Sequence, residues 1–182
     1  MLHRRGEDLP GQQVLVSGSG NVALYTVEKL HELGARALTV SDSEGYVVDD
    51  KGIDIDLLKQ IKVIERGRVR HYAERRGGSA VFVPDGSVWE VPADVALPSA
   101  TQNELNADDA RALVRGGVKA VSEGANMPVT PTAAQVFREA GVAFGPGKAA
   151  NAGASRSAPW RCGRTADAIP GPGTASRPSW PR

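Results

Sequence analysis

Apolar positions along this chain recur with two different periods, and the alternation between them outlines a fold. Val14-Leu15-Val16 is a short continuous apolar run, followed by "SGSGNVA" and "LYTVEKLHELG". Over that stretch Val22, Tyr25, Leu30 and Leu33 recur at helical spacing, and Gly34 marks the stop. "RALTVSD" reads as one strand ending at Ser41-Asp42, and "GYVVDDKG" as a brief excursion between turn signals. From Asp54 onward Leu57, Leu58, Ile61 and Ile64 form one apolar helix face, with Asp54 or Asp56 as its cap. "RVRHYAERRGG" predicts another helical stretch stopped by glycine. "AVFVP", "ADVALPSA", "KAVSEGA" and "VAFGPG" then predict strands alternating with helices near 105–115 and 131–140. Pro131 sits in the first turn of the last helix, where its missing amide has no partner to lose.

Strand and helix alternating at this spacing predict an α/β fold: a Rossmann-type, doubly wound, mainly parallel sheet with helices on both faces. Ligands bind such sheets beyond the carboxyl ends of the strands. The loops carrying Gly18, Asp42, Ser99–Asn103, Gly124–Met127 and Gly145–Asn151 each follow a predicted strand. They are therefore expected to share one edge of the sheet.

Charge divides the chain where its pattern stops. Of 182 residues with a net charge of +1, those after Gly153 carry five arginines and one acid, which leaves residues 1–153 at −3. A mildly acidic body is a poor partner for nucleic acid. No apolar run approaches the roughly 20 residues of a membrane span. Cys162 is the single cysteine, so an internal disulfide and a cysteine-cluster metal site are excluded and a reducing, cytoplasmic setting is expected. Prolines 159, 170, 172, 178 and 181 break any helical pattern near the end. The expected organisation is a dinucleotide-binding domain over 1–153 and a disordered tail over 154–182.

The chemistry-bearing segment is Gly18-Ser19-Gly20-Asn21-Val22-Ala23, a G-x-G-x-x-A pattern between a strand and a helix. Gly18 permits the tight turn, Gly20 lets a diphosphate touch the backbone, and Ala23 keeps the helix close to the sheet. The helix start offers unpaired amides to the anion. Asp42, about 20 residues on, is placed to hold a ribose 2′-hydroxyl and favours NAD. Ser43 beside it can instead donate to a phosphate, and Lys62 and Arg66, one turn apart, would admit a 2′-phosphate if they reached back. These residues alone leave NAD against NADP open.

Thr101, Gln102, Asn103, Asn126 and Asn151 are polar groups in strand-end loops that suit a ribose or a carboxamide, or simply form turns. His3, His31 and His71 lack metal spacing and read as surface residues. Lys148 suits a phosphate contact or solvent, and Glu123 reads as a loop carboxylate. No catalytic set assembles, and no metal site is expected.

"VLVSGSGNVALYTVEKLHELGA", "SDSEGYV", "KQIKVIERGRV", "WEVPADVALPSATQNEL", "VKAVSEGANMP" and "FGPGKAANAG" together closely resemble the coenzyme domain of hexameric NADP-specific glutamate dehydrogenases. The likeness covers roughly residues 3–153. It implies an oxidoreductase that interconverts L-glutamate with 2-oxoglutarate and ammonia, using NADP. Carried over residue by residue, Ser19 to Val22 cradle the diphosphate, with Asn21 a cofactor contact. Asp42 and Ser43 lie at the adenosine ribose, and Gln102, Asn126 and Asn151 face the nicotinamide half. The resemblance tips the cofactor from NAD to NADP. Its implied partners are the dinucleotide, a substrate domain and the other subunits of a homo-hexamer, with neither nucleic acid nor a membrane.

Two departures from the family pattern bear on activity. The substrate domain that precedes this segment in the family is absent, so the chain alone is expected to bind a dinucleotide without turning over glutamate. After "KAANAG" the family continues into a serine-bearing turn and a long helix, and this chain does not. One permitted set of codons for residues 154–165, with a single G restored in front, reads Gly-Val-Ala-Val-Ser-Ala-Leu-Glu-Met-Arg-Gln-Asn, a string typical of the family. Trp160 has one codon and still fits. The residues after Gly153 are therefore expected to be an out-of-frame translation. The alternatives are a dinucleotide sensor or regulatory module, and a pseudogene product with neither role.

Overall fold

The protein is described by a computed structural model covering Leu2 and residues 6–150. The tail expected over 154–182, Asn151 and His3 lie outside the described residues.

Five strands build a parallel sheet: β1 (Gln13–Val16), β2 (Arg36–Ala37), β6 (Val95–Leu97), β7 (Ala120–Ser122) and β8 (Ala143–Gly145), in the order β2-β1-β6-β7-β8. Its helices include α1 (Asn21–Glu32) after β1, α4 (Ala107–Arg115) before β7 and α5 (Pro131–Glu139) before β8. The sheet is buried on both faces. Val14 and Val16 pack in one apolar cluster with Val27 and Leu30 of α1, while Leu15 packs in another with Leu113 of α4 and Phe137 of α5. Strand alternation across two dry faces explains why β1 reads as an unbroken apolar run.

The stretch "RALTVSD" is not one strand. It divides at Leu38 into β2 and β3 (Thr39–Asp42), and β3 joins β4 (Gly45–Asp49) and β5 (Ala80–Pro84) in a separate antiparallel sheet, order β3-β4-β5. The expected excursion at "GYVVDDKG" is thus the central strand of that sheet. Thr39 lets the chain leave the parallel sheet without stranding β1. Its fully buried hydroxyl accepts the Val16 amide at 3.0 Å and donates to the Val16 carbonyl at 3.1 Å, replacing the backbone partner that has turned away. Gly45, at φ +145°, allows β5 to lie close against β4: a Cβ there would overlap the Val83 carbonyl oxygen.

Two helix faces differ from their sequence reading. In α1 the core face is Ala23, Leu24, Val27 and Leu30, whereas Val22, Tyr25 and Leu33 are exposed. All of these residues are apolar, so periodicity alone does not choose which stripe meets the sheet. After Asp54, whose carboxylate caps the amides of Asp56 and Leu57, α2 (Ile55–Lys59) widens into a π-helical turn over Gln60–Ile64. The extra residue in that turn advances the helix face. Leu58 and Ile61 stay buried, but Ile64 is 77% exposed. α3 (Arg70–Arg76) ends at Gly77, as its glycines predict. Among the described residues no helix is long and apolar enough to cross a membrane.

Candidate functional site

The turn after β1 brings its backbone amides together before any side chain is considered. Gly18 has φ +80°, and a Cβ there would meet Ala100 Cα at 3.0 Å. The β1–α1 turn therefore lies directly against the loop that follows β6. Ser99 N–H donates to Ser17 Oγ at 2.8 Å, a second tie between the same two strand ends. Gly20 is the N-cap of α1 in extended conformation, has no side chain to cap the helix, and has open space where a Cβ would be. The first-turn amides of a twelve-residue helix thus face a gap suited to an anion.

That gap is a cavity of ≈ 640 Å³, lined by residues 18–22, 41–43, 99–101 and Glu104. A neighbouring cavity of ≈ 300 Å³ shares Ser41, Asp42, Ser43 and Glu104 and extends to the loop before Trp89. Gly18, Ser19, Gly20, Asn21, Val22, Asp42 and Ser43 are therefore gathered in one place, as the sequence predicts. A separate cavity of ≈ 540 Å³, beside Gly34, Arg36 and Lys51, opens at the other end of the strands and holds none of the predicted site residues.

Asp42 lines the site but is already engaged. Its Oδ1 accepts the Glu44 amide at 3.0 Å and its Oδ2 the Val69 amide at 2.9 Å, so it shapes the β3–β4 turn and the start of α3. Lys62 does reach back: Nζ lies 3.6 Å from Asp42 Oδ2 and donates to the Gly67 carbonyl at 3.0 Å. Arg66 is exposed on the turn after the π-helical segment, at φ +54°. The cation that meets Ser43 is Arg68, whose Nη1 donates to Ser43 Oγ at 2.9 Å. Spacing along a regular helix pointed to Arg66. The wide turn and the left-handed Arg66 instead bring Arg68, two positions on, against Ser43.

The loops after β6 and β7 are joined edge to edge. Asn103 N–H donates to the Met127 carbonyl and Leu105 N–H to the Pro128 carbonyl, both at 3.0 Å, and Gly124 and Ala125 amides both meet the Pro98 carbonyl. Gln102 and Asn126, both exposed, sit on these adjoining loops, and Thr101 lines the larger cavity. Glu123 is more than a loop carboxylate. It is buried, and its two oxygens accept the Val129 and Gly147 amides, tying the β7 loop to the start of α6 (Gly147–Ala150). Lys148 and His31 are exposed. Asn151 lies just beyond the described residues.

Glu104 escapes sequence reasoning because it stands between an amide-rich loop and a helix, with no motif of its own. Its Oε1 accepts the Ala100 amide at 3.0 Å, so it holds the residue that backs Gly18. Burial pushes its carboxyl up from the ordinary value, with help from Asp109, while Ser17 and the amides of Ala100 and Thr101 pull the other way. Among the described residues no group of three or more His, Cys, Asp or Glu is placed to hold a metal ion.

A glycine turn against a parallel sheet, an uncapped helix start and polar strand-end loops leave an open cleft suited to an anionic ligand, and comparison with known proteins gives the family. The family model for Glutamate/Leucine/Phenylalanine/Valine dehydrogenase matches residues 1–158. The chain belongs to this family. It is 54% identical over 156 residues to a glutamate dehydrogenase of Bacteroides thetaiotaomicron, covering 84% of this chain and 35% of that one. It is 52% identical to an NADP-specific glutamate dehydrogenase of Escherichia coli, covering 84% and 34%. An NAD(P)-specific glutamate dehydrogenase of Xylanibacter ruminicola is 51% identical over the same share of this chain. Among solved structures, Plasmodium falciparum glutamate dehydrogenase superposes with a TM-score of 0.79 at 40% identity, covering 84% of this chain and 33% of that one. A hetero-hexameric glutamate dehydrogenase from Thermus thermophilus superposes with a TM-score of 0.60 at 26% identity, covering 79% and 32%. The chain thus spans about a third of the length of the relatives it matches.

Proposed function

We propose that this chain is the coenzyme-binding part of a glutamate dehydrogenase and that it binds NADP in preference to NAD. The observation that carries this reading is the pairing of the open α1 start at Gly20 with the cationic corner at Ser43, both lining the same cavity. The amides of residues 19–22 take the diphosphate. Ser43, Lys62 and Arg68 take the 2′-phosphate: Lys62 is balanced by Asp42, while Arg68 and Arg70 share the single carboxylate of Glu44, so the corner keeps one positive charge in surplus. Gln102, Asn126 and Asn151 serve the nicotinamide half. The bound dinucleotide supplies hydride chemistry, and this chain's own residues bind it, orient it and keep it at the sheet edge.

The whole reaction is the reversible conversion of L-glutamate, water and NADP⁺ to 2-oxoglutarate, ammonium, NADPH and a proton. The groups that would hold glutamate come from a partner, namely a separate substrate domain or intact homologous subunits in a hexamer. The protein works in the cytoplasm. We also propose that residues 154–182 are an out-of-frame tail on a 1–153 domain, which sequencing the DNA across the Gly153 codon tests directly.

Calorimetric titration with NADP and NAD tests the cofactor reading. Binding of NADP that is tighter than that of NAD supports it, and absence of binding to either ends it. Glutamate-dependent reduction of NADP should be absent from the purified chain and restored by the missing N-terminal half supplied in trans. Tight binding with no restored activity favours a dinucleotide sensor instead.

A further inference from the structure

Glu44 stands at the tip of the β3–β4 hairpin, next to the serine that meets Arg68. Its two oxygens are divided between two cations: Oε1 lies 3.3 Å from Arg68 Nε and Oε2 3.7 Å from Arg70 Nε. The same Arg68 donates from Nη1 to Ser43 Oγ at 2.9 Å. One guanidinium therefore serves Ser43 with one edge and the Glu44 carboxylate with another. All three charged side chains are partly exposed, at 36% for Glu44, 49% for Arg68 and 53% for Arg70, so none is locked in place by packing.

From this geometry we propose that Glu44 is a specificity-determining residue that lowers the preference of the site for a 2′-phosphate over a 2′-hydroxyl. A phosphate monoester arriving at Ser43 brings about −1.5 to −2 charges to a corner where Glu44 already holds the available cations. It must share Arg68 with the carboxylate and accept repulsion from it. A ribose 2′-hydroxyl is neutral and meets neither obstacle. Lys62 does not relieve the competition, because its ammonium lies beside Asp42. Glu44 thus acts on NADP and leaves NAD nearly untouched, which separates a specificity role from a purely structural one.

The inference rests on the dinucleotide reading above, and one set of titrations separates the two. The intact chain and its Glu44→Gln variant are titrated with NADP, NAD, AMP and adenosine 2′,5′-bisphosphate. Glutamine keeps the shape and an oxygen for Arg68 but removes the charge. The expected result is an NADP affinity raised about three- to tenfold with NAD within about twofold, the scale of a partly screened charge pair. The same change should appear between the bisphosphate and AMP, and should shrink at high salt. In an Arg68→Ala background the effect of Glu44→Gln should fall, because the shared cation is gone. An unchanged NADP-to-NAD ratio, or an equal gain for both, overturns the role of Glu44 while leaving the dinucleotide site standing. Failure of the unaltered chain to bind any of the four ligands overturns both.

Discussion

Gly18 and Ser41 exchange two hydrogen bonds: the Gly18 amide donates to Ser41 Oγ at 2.7 Å, and the Ser41 amide donates to the Gly18 carbonyl at 3.1 Å. The glycine turn after β1 is thereby clamped to β3, a strand of the other sheet. This clamp sets the distance between the amides at the start of α1 and the Asp42–Ser43 corner. Replacing Ser41 with alanine strands a part-buried amide and should cost about 1–3 kcal/mol of stability. NADP affinity should fall with it, as denaturant melts and calorimetry together would record.

The two glycines of the turn should respond differently to alanine. Gly18→Ala puts a Cβ 3.0 Å from Ala100 at φ +80°, so it should destabilise the fold by about 1–3 kcal/mol. Gly20→Ala has open space and φ −83°, so stability should change by less than about 1 kcal/mol. Its methyl would fill the space proposed for the diphosphate, and NADP affinity should fall by roughly tenfold or more. A Gly20→Ala chain that binds NADP normally would contradict the assigned position of the diphosphate.

Beneath the hairpin, Tyr72 joins two elements through its hydroxyl, which accepts the Asp54 amide at 2.7 Å and donates to Asp49 Oδ2 at 2.9 Å. Arg76 Nε also donates to that oxygen at 2.9 Å. Burial, opposed by the Asp54 amide and reinforced by Asp49, pushes the Tyr72 hydroxyl well above its ordinary 10.0. Below pH 10 it is protonated in both folded and unfolded chains. As pH rises further only the unfolded chain loses the proton, so stability should decline. Tyr72→Phe should cost about 1–3 kcal/mol at neutral pH and remove this alkaline decline, measurable in melts from pH 8 to 11.

Asp49 should produce the opposite slope in acid. Burial opposes its ionisation, but Arg76, Tyr72, the Lys51 amide and Ser79 outweigh that and hold its carboxyl below 3.8. The stability it contributes is present above 3.8 and is lost as pH falls through its folded value. Arg76→Gln should lessen that acid loss while lowering stability near neutrality, as acid titration followed by circular dichroism would show.

Glu104 should affect the site through Ala100. Its raised carboxyl makes the folded chain hold a proton above the ordinary 4.5, so its contribution to stability is greatest below 4.5 and declines as pH rises through the folded value. Glu104→Gln should remove that decline and retain one acceptor for the Ala100 amide. Glu104→Ala leaves the amide without it and should weaken NADP binding more than the glutamine does. Equal affinity in both variants would exclude a role in holding the loop.

The chain's own pattern was enough to place the glycine turn, the helix that follows it, four of the five strands whose ends carry the loops, and an acidic cap at Asp54 or Asp56, which the structure gives to Asp54. Each is set by interactions within a few residues, where periodicity and turn chemistry are decisive. Tertiary structure decided which stripe of α1 is buried, since Val22 and Tyr25 on one stripe and Leu24 and Val27 on the other each offer large apolar surface at helical spacing. It also decided that "RALTVSD" divides between two sheets, because the break depends on Thr39 satisfying Val16 across 23 residues of chain. Arg68 rather than Arg66 meets Ser43 because a π-helical turn shifts the register, and Glu104 matters only through a loop packed against Gly18. Such contacts join residues distant in sequence, and no local pattern encodes them.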